Sequence, residues 1–460
     1  MEPQECSAPG SSVTTVELHL RMSDLISALS FALDLTEGQP MGHSIKTCIL
    51  AMRMAEILGL SLEQRSDLYY ATLVKDAGCS SNAARMFEIF GGDERRAKRE
   101  VKTQDSSQVT IEGLEYLMRN VMPGKSRLER VVALANIAIN RKKVTSELFQ
   151  LRCERGEQIA ARIGLSKRTS EAIYNLDEHW DGNGFPHGLR GTDIPLLSRI
   201  ISVCQTLEVF VALNGPHDAF EVMRERSGAW FDPEIVQACL QMEKEEALWH
   251  TLESESFRET AIKSEPLGVV MYADESRIDS VCEAFAEVID IKSPFTHTHS
   301  TRVSSIAMKI AEALGMNARD LTLIRRASLL HDIGKLSVPN SVLDKPGKLT
   351  AQEWETVRLH PYYTQRILER IEGFKHLAFI ASTHHEKLDG SGYYRNLRAT
   401  QLPLSSRAIT VADIFEAMAA KRPYREPMPL ELIFKLMEKQ VPHQIDEACF
   451  EALKNLGESY

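Results

Sequence analysis

The sequence predicts a nearly all-α protein made of two tandem helical domains, and three observations predict it. Residues 300–314 and 321–330 carry apolar side chains at three- and four-residue steps, the period of a helix with one buried face. Alternating strand-like runs are scarce, and only residues 267–271 suggest one short strand. Finally, 460 residues are too many for one ordinary core, and the chain repeats itself.

The repeat is read from matching segments. Gly42-His43-Ser44 leads into an apolar-periodic helix ending in Leu-Gly-Leu, and Thr298-His299-Ser300 leads into one ending in Leu-Gly-Met. Leu73 to Cys79 matches Leu329 to Lys335; His43 and His299 are 256 residues apart, as are Asp76 and Asp332. Further on, Asp181-Gly182-Asn183-Gly184-Phe185-Pro186 matches Asp389-Gly390-Ser391-Gly392-Tyr393-Tyr394 at a separation of 208. The first copy therefore holds about 48 extra residues between Cys79 and Arg152, including the charged run at 93–102. The expected division is a disordered lead-in at 1–15, a first domain at 16–242, a linker at 243–266 rich in Glu, Ser and Lys, and a second domain at 267–460.

Bulk properties narrow the class. The composition, 43% hydrophobic and 26% charged, is that of a soluble globular protein. No apolar run approaches the ~20 residues that cross a bilayer, and residues 1–15 lack the basic-then-apolar pattern of a signal peptide. Eight scattered cysteines without a C-x-x-C pair fit free thiols in a reducing cytoplasm. A net charge of −10 disfavours DNA or membrane partners, but not a small anionic substrate, because bound metal ions set the charge at their own site.

The second half carries seven candidate metal ligands within about 115 residues: His299, His331, Asp332, His360, His384, His385 and Asp413. A neutral imidazole offers a transition metal one nitrogen, and a carboxylate can bridge two metals. The adjacent pairs His331-Asp332 and His384-His385, read as helical neighbours about 100° apart, can serve two ions. Asp332 is the best bridge, with His299 and Asp413 completing the first ion's set and His360, His384 and His385 surrounding the second. Two ions so placed acidify a bridging water and neutralise a phosphodiester's oxygens during in-line attack. Lys335, just past His331, is placed to steady the developing charge on phosphorus. The Asp389-Gly390-Ser391-Gly392 loop lets backbone come close to the site. Arg422 and Arg425 are further candidates for phosphate or base contact.

H-D-I-G-K at 331–335, H-H-E at 384–386, D-G-S-G-Y at 389–393 and V-A-D-I-F at 411–415 resemble the HD-GYP branch of the HD phosphohydrolase superfamily over about residues 267–427. The resemblance implies a helical fold and a paired iron or manganese site on the seven ligands above, with Lys335 as the phosphate-contacting lysine. It also implies phosphodiesterase activity on a bacterial cyclic dinucleotide, usually cyclic di-GMP, with cyclic GMP-AMP preferred by some members. Three positions depart from the pattern. Tyr394 replaces the proline of G-Y-P, in a loop linked to recognition and partner binding. Phe295 stands where three-metal members have a glutamate, which favours two metals. Glu416 stands for an aspartate.

The first half keeps His43 and Asp76, but Lys75, Arg152, Leu176, Asp177 and Gln205 replace the other ligands, and Cys79 replaces the lysine. Two cations at the heart of a site repel a divalent ion. This half reads as a degenerate packing, dimerisation or sensing module, with Lys75 and Arg152 as a possible anion pocket. Two alternatives stay open for the whole chain: a weakly catalytic signalling adaptor that binds a dinucleotide or protein partner, and an HD hydrolase of another nucleotide phosphoester.

Overall fold

The computed structural model describes residues 20–90, 95, 141–345, 347–421 and 426–457. The lead-in at 1–15, nearly all of the extra segment of the first half, and both Arg422 and Arg425 lie outside the described residues. Among those described, the protein is helical throughout except for one antiparallel pair, Leu20–Arg21 with Tyr272–Ala273. That pair replaces the strand expected at 267–271, where Leu267–Val269 forms a 3-10 turn instead.

Local chemistry repeats between the halves as the sequence does. Gly42 and Thr298, which precede the His43–Ile57 and His299–Ala313 helices, are both left-handed, with φ of 103° and 71°. Glycine takes that conformation freely, whereas a β-branched threonine is strained in it. The strained residue sits directly before a candidate ligand. Asp34 and Asp290 each accept hydrogen bonds from the backbone N–H and hydroxyl of the serine after that histidine, Ser44 and Ser300. Ser61 and Asn317 cap the next helices, Leu62–Val74 and Ala318–Leu330.

The two halves share one continuous core, which runs from Leu25 and Phe31 through Phe285 and Val303 to Phe450. Their contact is reciprocal. The first helix of the first half, Met22–Thr36, packs on the 3-10 turn Ile333–Ser337 and on the His360–Leu368 helix. Its counterpart Glu275–Ile291 packs on the turn Ala77–Ser80 and on the Arg141–Arg162 helix. Each half therefore backs the other's central turn. Residues 243–266, expected as a linker, form two helices, Glu246–Glu253 and Phe257–Lys263, which bury Leu252, Ala261 and Glu265. The Glu265 carboxylate accepts from Ser23 Oγ at 2.8 Å and from the Tyr70 hydroxyl at 2.5 Å. The helix Leu196–Asn214 is long and apolar enough to cross a membrane by length and composition, although the sequence reading found no such run. Here 67% of its apolar window is buried inside the protein.

Candidate metal centre

Five elements of the second half converge on Asp332. His299 opens its helix; His331 and Asp332 follow the Ala318–Leu330 helix; His360 opens a third; His384 and His385 follow the Lys375–Ala381 helix; and Asp413 lies within Leu404–Ala419. The two adjacent pairs thus sit in turns at helix ends rather than inside helices as expected. A turn can aim successive side chains at one point, which a straight helix does not.

The two oxygens of Asp332 face different histidines. Oδ2 lies 3.4 Å from His299 Nε2 and 3.3 Å from His331 Nε2. Oδ1 lies 3.3 Å from His360 Nε2 and 3.5 Å from His384 Nε2. Asp413 completes the enclosure, with Oδ1 3.4 Å from His299 Nε2 and Oδ2 3.8 Å from His385 Nδ1. Within this cluster the donor atoms of His299, His331 and Asp332 lie within 4.8 Å of one another, and so do those of His360, His384 and His385.

Four of the five rings are aimed by what their other nitrogen does. His331, His360 and His384 direct Nδ1 at the carbonyl three residues earlier, Ser328, Val357 and Ala381, at 2.7, 2.7 and 2.8 Å. That bond fixes the tautomer and leaves an unprotonated Nε2 pointing inward. His299 Nδ1 is held by the Glu416 carboxylate. Burial keeps the His331 ring neutral, pushing its pKa down to about 3, and also depresses His360 and His385. Burial works against the charged form of His299 too, but Asp332, Asp413 and Glu416 outweigh it and raise this ring. Burial alone would raise Asp332 and Asp413; the surrounding histidines, joined at Asp332 by Lys335, hold both below the usual carboxylate range. His299 Nε2, His331 Nε2 and Asp332 Oδ1 are buried without a hydrogen-bond partner. Polar atoms left unsatisfied where five imidazoles and two carboxylates converge in a buried cluster fit divalent cations.

Lys335 Nζ sits 2.5 Å from Asp332 Oδ2 at the edge of the cluster. Arg302 and Arg407 make structural bonds: Arg302 reaches Glu416 at 3.6 Å, and Arg407 holds Leu402, Ala399 and Asp446. In the loop after His385, Tyr393 lies against the His385 ring at 4.8 Å, and the Tyr394 hydroxyl bonds Gln365.

The sequence places the backbone of the Gly392 loop near the site but assigns no role to Gly334 or Glu386, which also shape it. Gly334 approaches the His360 helix so closely that a Cβ there would lie 1.9 Å from His360 O. A Cβ on Gly392 would lie 2.4 Å from Glu386 Cα. The Glu386 carboxylate accepts from the N–H groups of Arg395 and Leu397 and so pins the loop. The duplication carried the signal: Gly78, Gly184, Glu178 and Glu208 do the same work in the first half.

The first half has the frame without the ligands. His43 Nδ1 is held by Glu208, as His299 is by Glu416. Lys75 Nζ lies 3.1 Å from His43 Nε2 and is paired with Asp76, so an ammonium fills the space between histidine and aspartate. Arg152 Nη1 pairs with Asp177 at 3.2 Å. Burial disfavours the charged guanidinium, but Asp177, Cys79, Glu37 and Asp76 outweigh that and raise its pKa. Glu37, Asp76 and Cys79 do cluster as metal ligands would, yet the Lys75 ammonium is already paired with Asp76 there. The anion pocket suggested for Lys75 and Arg152 fails for the same reason, since internal carboxylates hold both cations.

The model of the HD domain matches residues 130–235 and 283–449, a segment in each half. The chain belongs to the HD-domain family. Among relatives of this HD-domain protein, the 3′3′-cGAMP-specific phosphodiesterase 3 of Vibrio cholerae is 39% identical over 433 residues, covering 94% of each chain. A cyclic di-GMP phosphodiesterase of Thermotoga maritima is 39% identical over 184 residues, 38% of this chain and 50% of that one. A crystal structure of a cyclic GMP-AMP-specific phosphodiesterase of V. cholerae superposes with a TM-score of 0.67 at 33% identity, covering 96% of this chain and 99% of that one. The superfamily and the all-helical fold expected from the motifs are those found.

Proposed function

We propose that this HD-domain protein is a metal-dependent phosphodiesterase that opens a 3′–5′ phosphodiester of a cyclic dinucleotide, with 3′3′-cGAMP first in order and cyclic di-GMP second. The observation that carries the catalytic reading is the division of Asp332, whose two oxygens serve two sets of histidines, with orphaned nitrogens on one side. This order reverses the one the motifs imply, cyclic di-GMP first, and rests on the relative that spans both halves and is named for 3′3′-cGAMP; the relatives matching shorter stretches carry both substrate names.

In this reading His299, His331, Asp332 and Asp413 would hold one divalent cation, and Asp332, His360, His384 and His385 would hold a second, iron or manganese in each case. When bound, such a pair supplies Lewis acidity, which makes water nucleophilic at neutral pH and neutralises phosphoryl oxygens. The residues of the chain do the rest. Glu416 and three backbone carbonyls keep the imidazoles oriented. Lys335 is 19% exposed while Asp332 is 1% exposed, so its ammonium can turn from the carboxylate to a phosphate oxygen as charge builds there. The ribose 3′-oxygen leaves as the phosphodiester opens. An adaptor has no use for orphaned, buried metal-ligand nitrogens, which favours the enzyme.

Steady-state kinetics of the metal-loaded chain with both dinucleotides tests the order. A higher kcat/KM for 3′3′-cGAMP is expected; a higher value for cyclic di-GMP reverses the order. Hydrolysis of neither, with another nucleotide phosphoester consumed instead, defeats the substrate assignment.

A further inference from the structure

Among the histidines and aspartates of the candidate metal cluster His385 is the most exposed, at 26%, the others being at most 8% exposed, so a substrate can approach the cluster beside His385; a second, small cavity reaches it past His299, Asp332 and Lys335. Tyr393 lies against that ring at 4.8 Å, and Trp354 meets Tyr393 edge-on at 6.2 Å. Tyr393 is already flanked, by His385 and by the Arg358 guanidinium 5.1 Å over its ring. Trp354 is different: its side chain is 44% exposed.

An exposed indole needs a reason when its helix is held firmly. Trp354 lies on the Ala351–Arg358 helix, which starts with a reciprocal cap between Thr350 and Glu353. Glu353 is also gripped by Lys345 at 2.6 Å. The ring is thus presented from a fixed support, two ring-to-ring steps from the metal ligands. A fixed, open aromatic face of this kind stacks nucleobases, because every base has a π-face and few polar contacts are needed.

We infer that Trp354 forms a nucleobase subsite: a purine of the cyclic dinucleotide stacks on its indole while the scissile phosphate lies at the metal centre. Arg358, one turn further along the same helix, places a cation over the Tyr393 ring and beside Glu355. The inference rests on the cyclic-dinucleotide reading given above. It assigns the stacking role to Trp354 and not to the Tyr393-Tyr394 pair, whose rings are taken up by His385, Arg358, Tyr362 and Gln365.

The test compares wild type, Trp354→Ala and Trp354→Phe as metal-loaded full chains, with metal content measured for each. KM for 3′3′-cGAMP is expected to rise about tenfold in W354A, the scale of one lost base stack, with kcat changed less than threefold and W354F restoring most of the loss. A second readout is quenching of tryptophan fluorescence by a non-hydrolysable phosphorothioate analogue of 3′3′-cGAMP, which should largely vanish in W354F. An unchanged KM in W354A overturns the inference, as does quenching that persists in W354F. A kcat and metal content that fall together in W354A, with no recovery in W354F, also overturn it, since that pattern marks a structural residue. A wild type that hydrolyses methyl p-nitrophenyl phosphate but no cyclic dinucleotide, and shows no quenching, removes the reading beneath the inference as well.

Discussion

At the scale of single residues, the site works by what each imidazole does with its outer nitrogen. Glu416 holds the outer nitrogen of His299 with a carboxylate, whereas those of His331, His360 and His384 meet backbone carbonyls. Outer partners of this kind typically contribute 10- to 100-fold in metal affinity. Glu416→Ala should therefore weaken binding of one cation by about that factor and leave the second bound, with Glu416→Gln recovering part of the loss; titration of apoprotein with Mn²⁺ reads both. Lys335→Ala should retain its metal and lower kcat by about 10²-fold, the cost of removing one preorganised donor from a developing oxyanion. The candidate ligands were legible in the sequence because histidine is scarce, fourteen in 460 residues, and five of them fall with two aspartates within about 115 residues. Glu416, Glu386 and Asp290 were not, because one acidic residue in a helical protein has many uses. Their persistence as Glu208, Glu178 and Asp34 in a half that lost its ligands marks them as frame.

At the scale of elements, the ligands depend on turns that touch helices without an intervening side chain. Gly334 allows the 331–337 turn to meet the start of the His360 helix, where Thr364 also bonds the turn at His331 O and Gly334 N. Gly334→Ala should destabilise the chain by about 1–3 kcal/mol, the usual cost of overpacking, and reduce bound metal, as thermal melts and metal analysis would show. The first half offers a matched case. Lys75 and Asp76 form a fully buried pair, and removing one member of such a pair typically costs about 3–5 kcal/mol. Lys75→Met should show a loss of that size in urea denaturation, and equal stability would mean that the ammonium is not what holds the degenerate site. Helix periodicity gave these elements correctly in kind. It could not show that 243–266 folds back, since a run rich in Glu, Ser and Lys looks alike whether its few apolar residues are buried or not. Leu252 and Ala261 are the ones that are buried.

At the scale of the whole molecule, the duplication has become an internal pair in which each half supports the other's centre. The helix Met22–Thr36 lies against the turn that carries Lys335, and Met22 N bonds Met271 O at 2.9 Å. A chain beginning at residue 266 would lose that helix and expose the back of its own metal site. It should bind less metal and melt lower than the full chain; equal metal content and equal kinetics would show the halves to be independent. The two fixed separations made the repeat legible, but not this reciprocity, because sequence periodicity within a half says nothing about the face it turns to the other.

Asp332, with histidines facing each of its two oxygens, would join two cations into one hydrolytic centre. The most direct measurement is metal content after anaerobic purification, together with hydrolysis of 3′3′-cGAMP and cyclic di-GMP, for wild type beside Asp332→Ala. The account predicts about two iron or manganese ions per chain in the wild type, turnover of at least one dinucleotide, and loss of both metal and turnover in the variant. A variant that keeps its metals and its activity would contradict it.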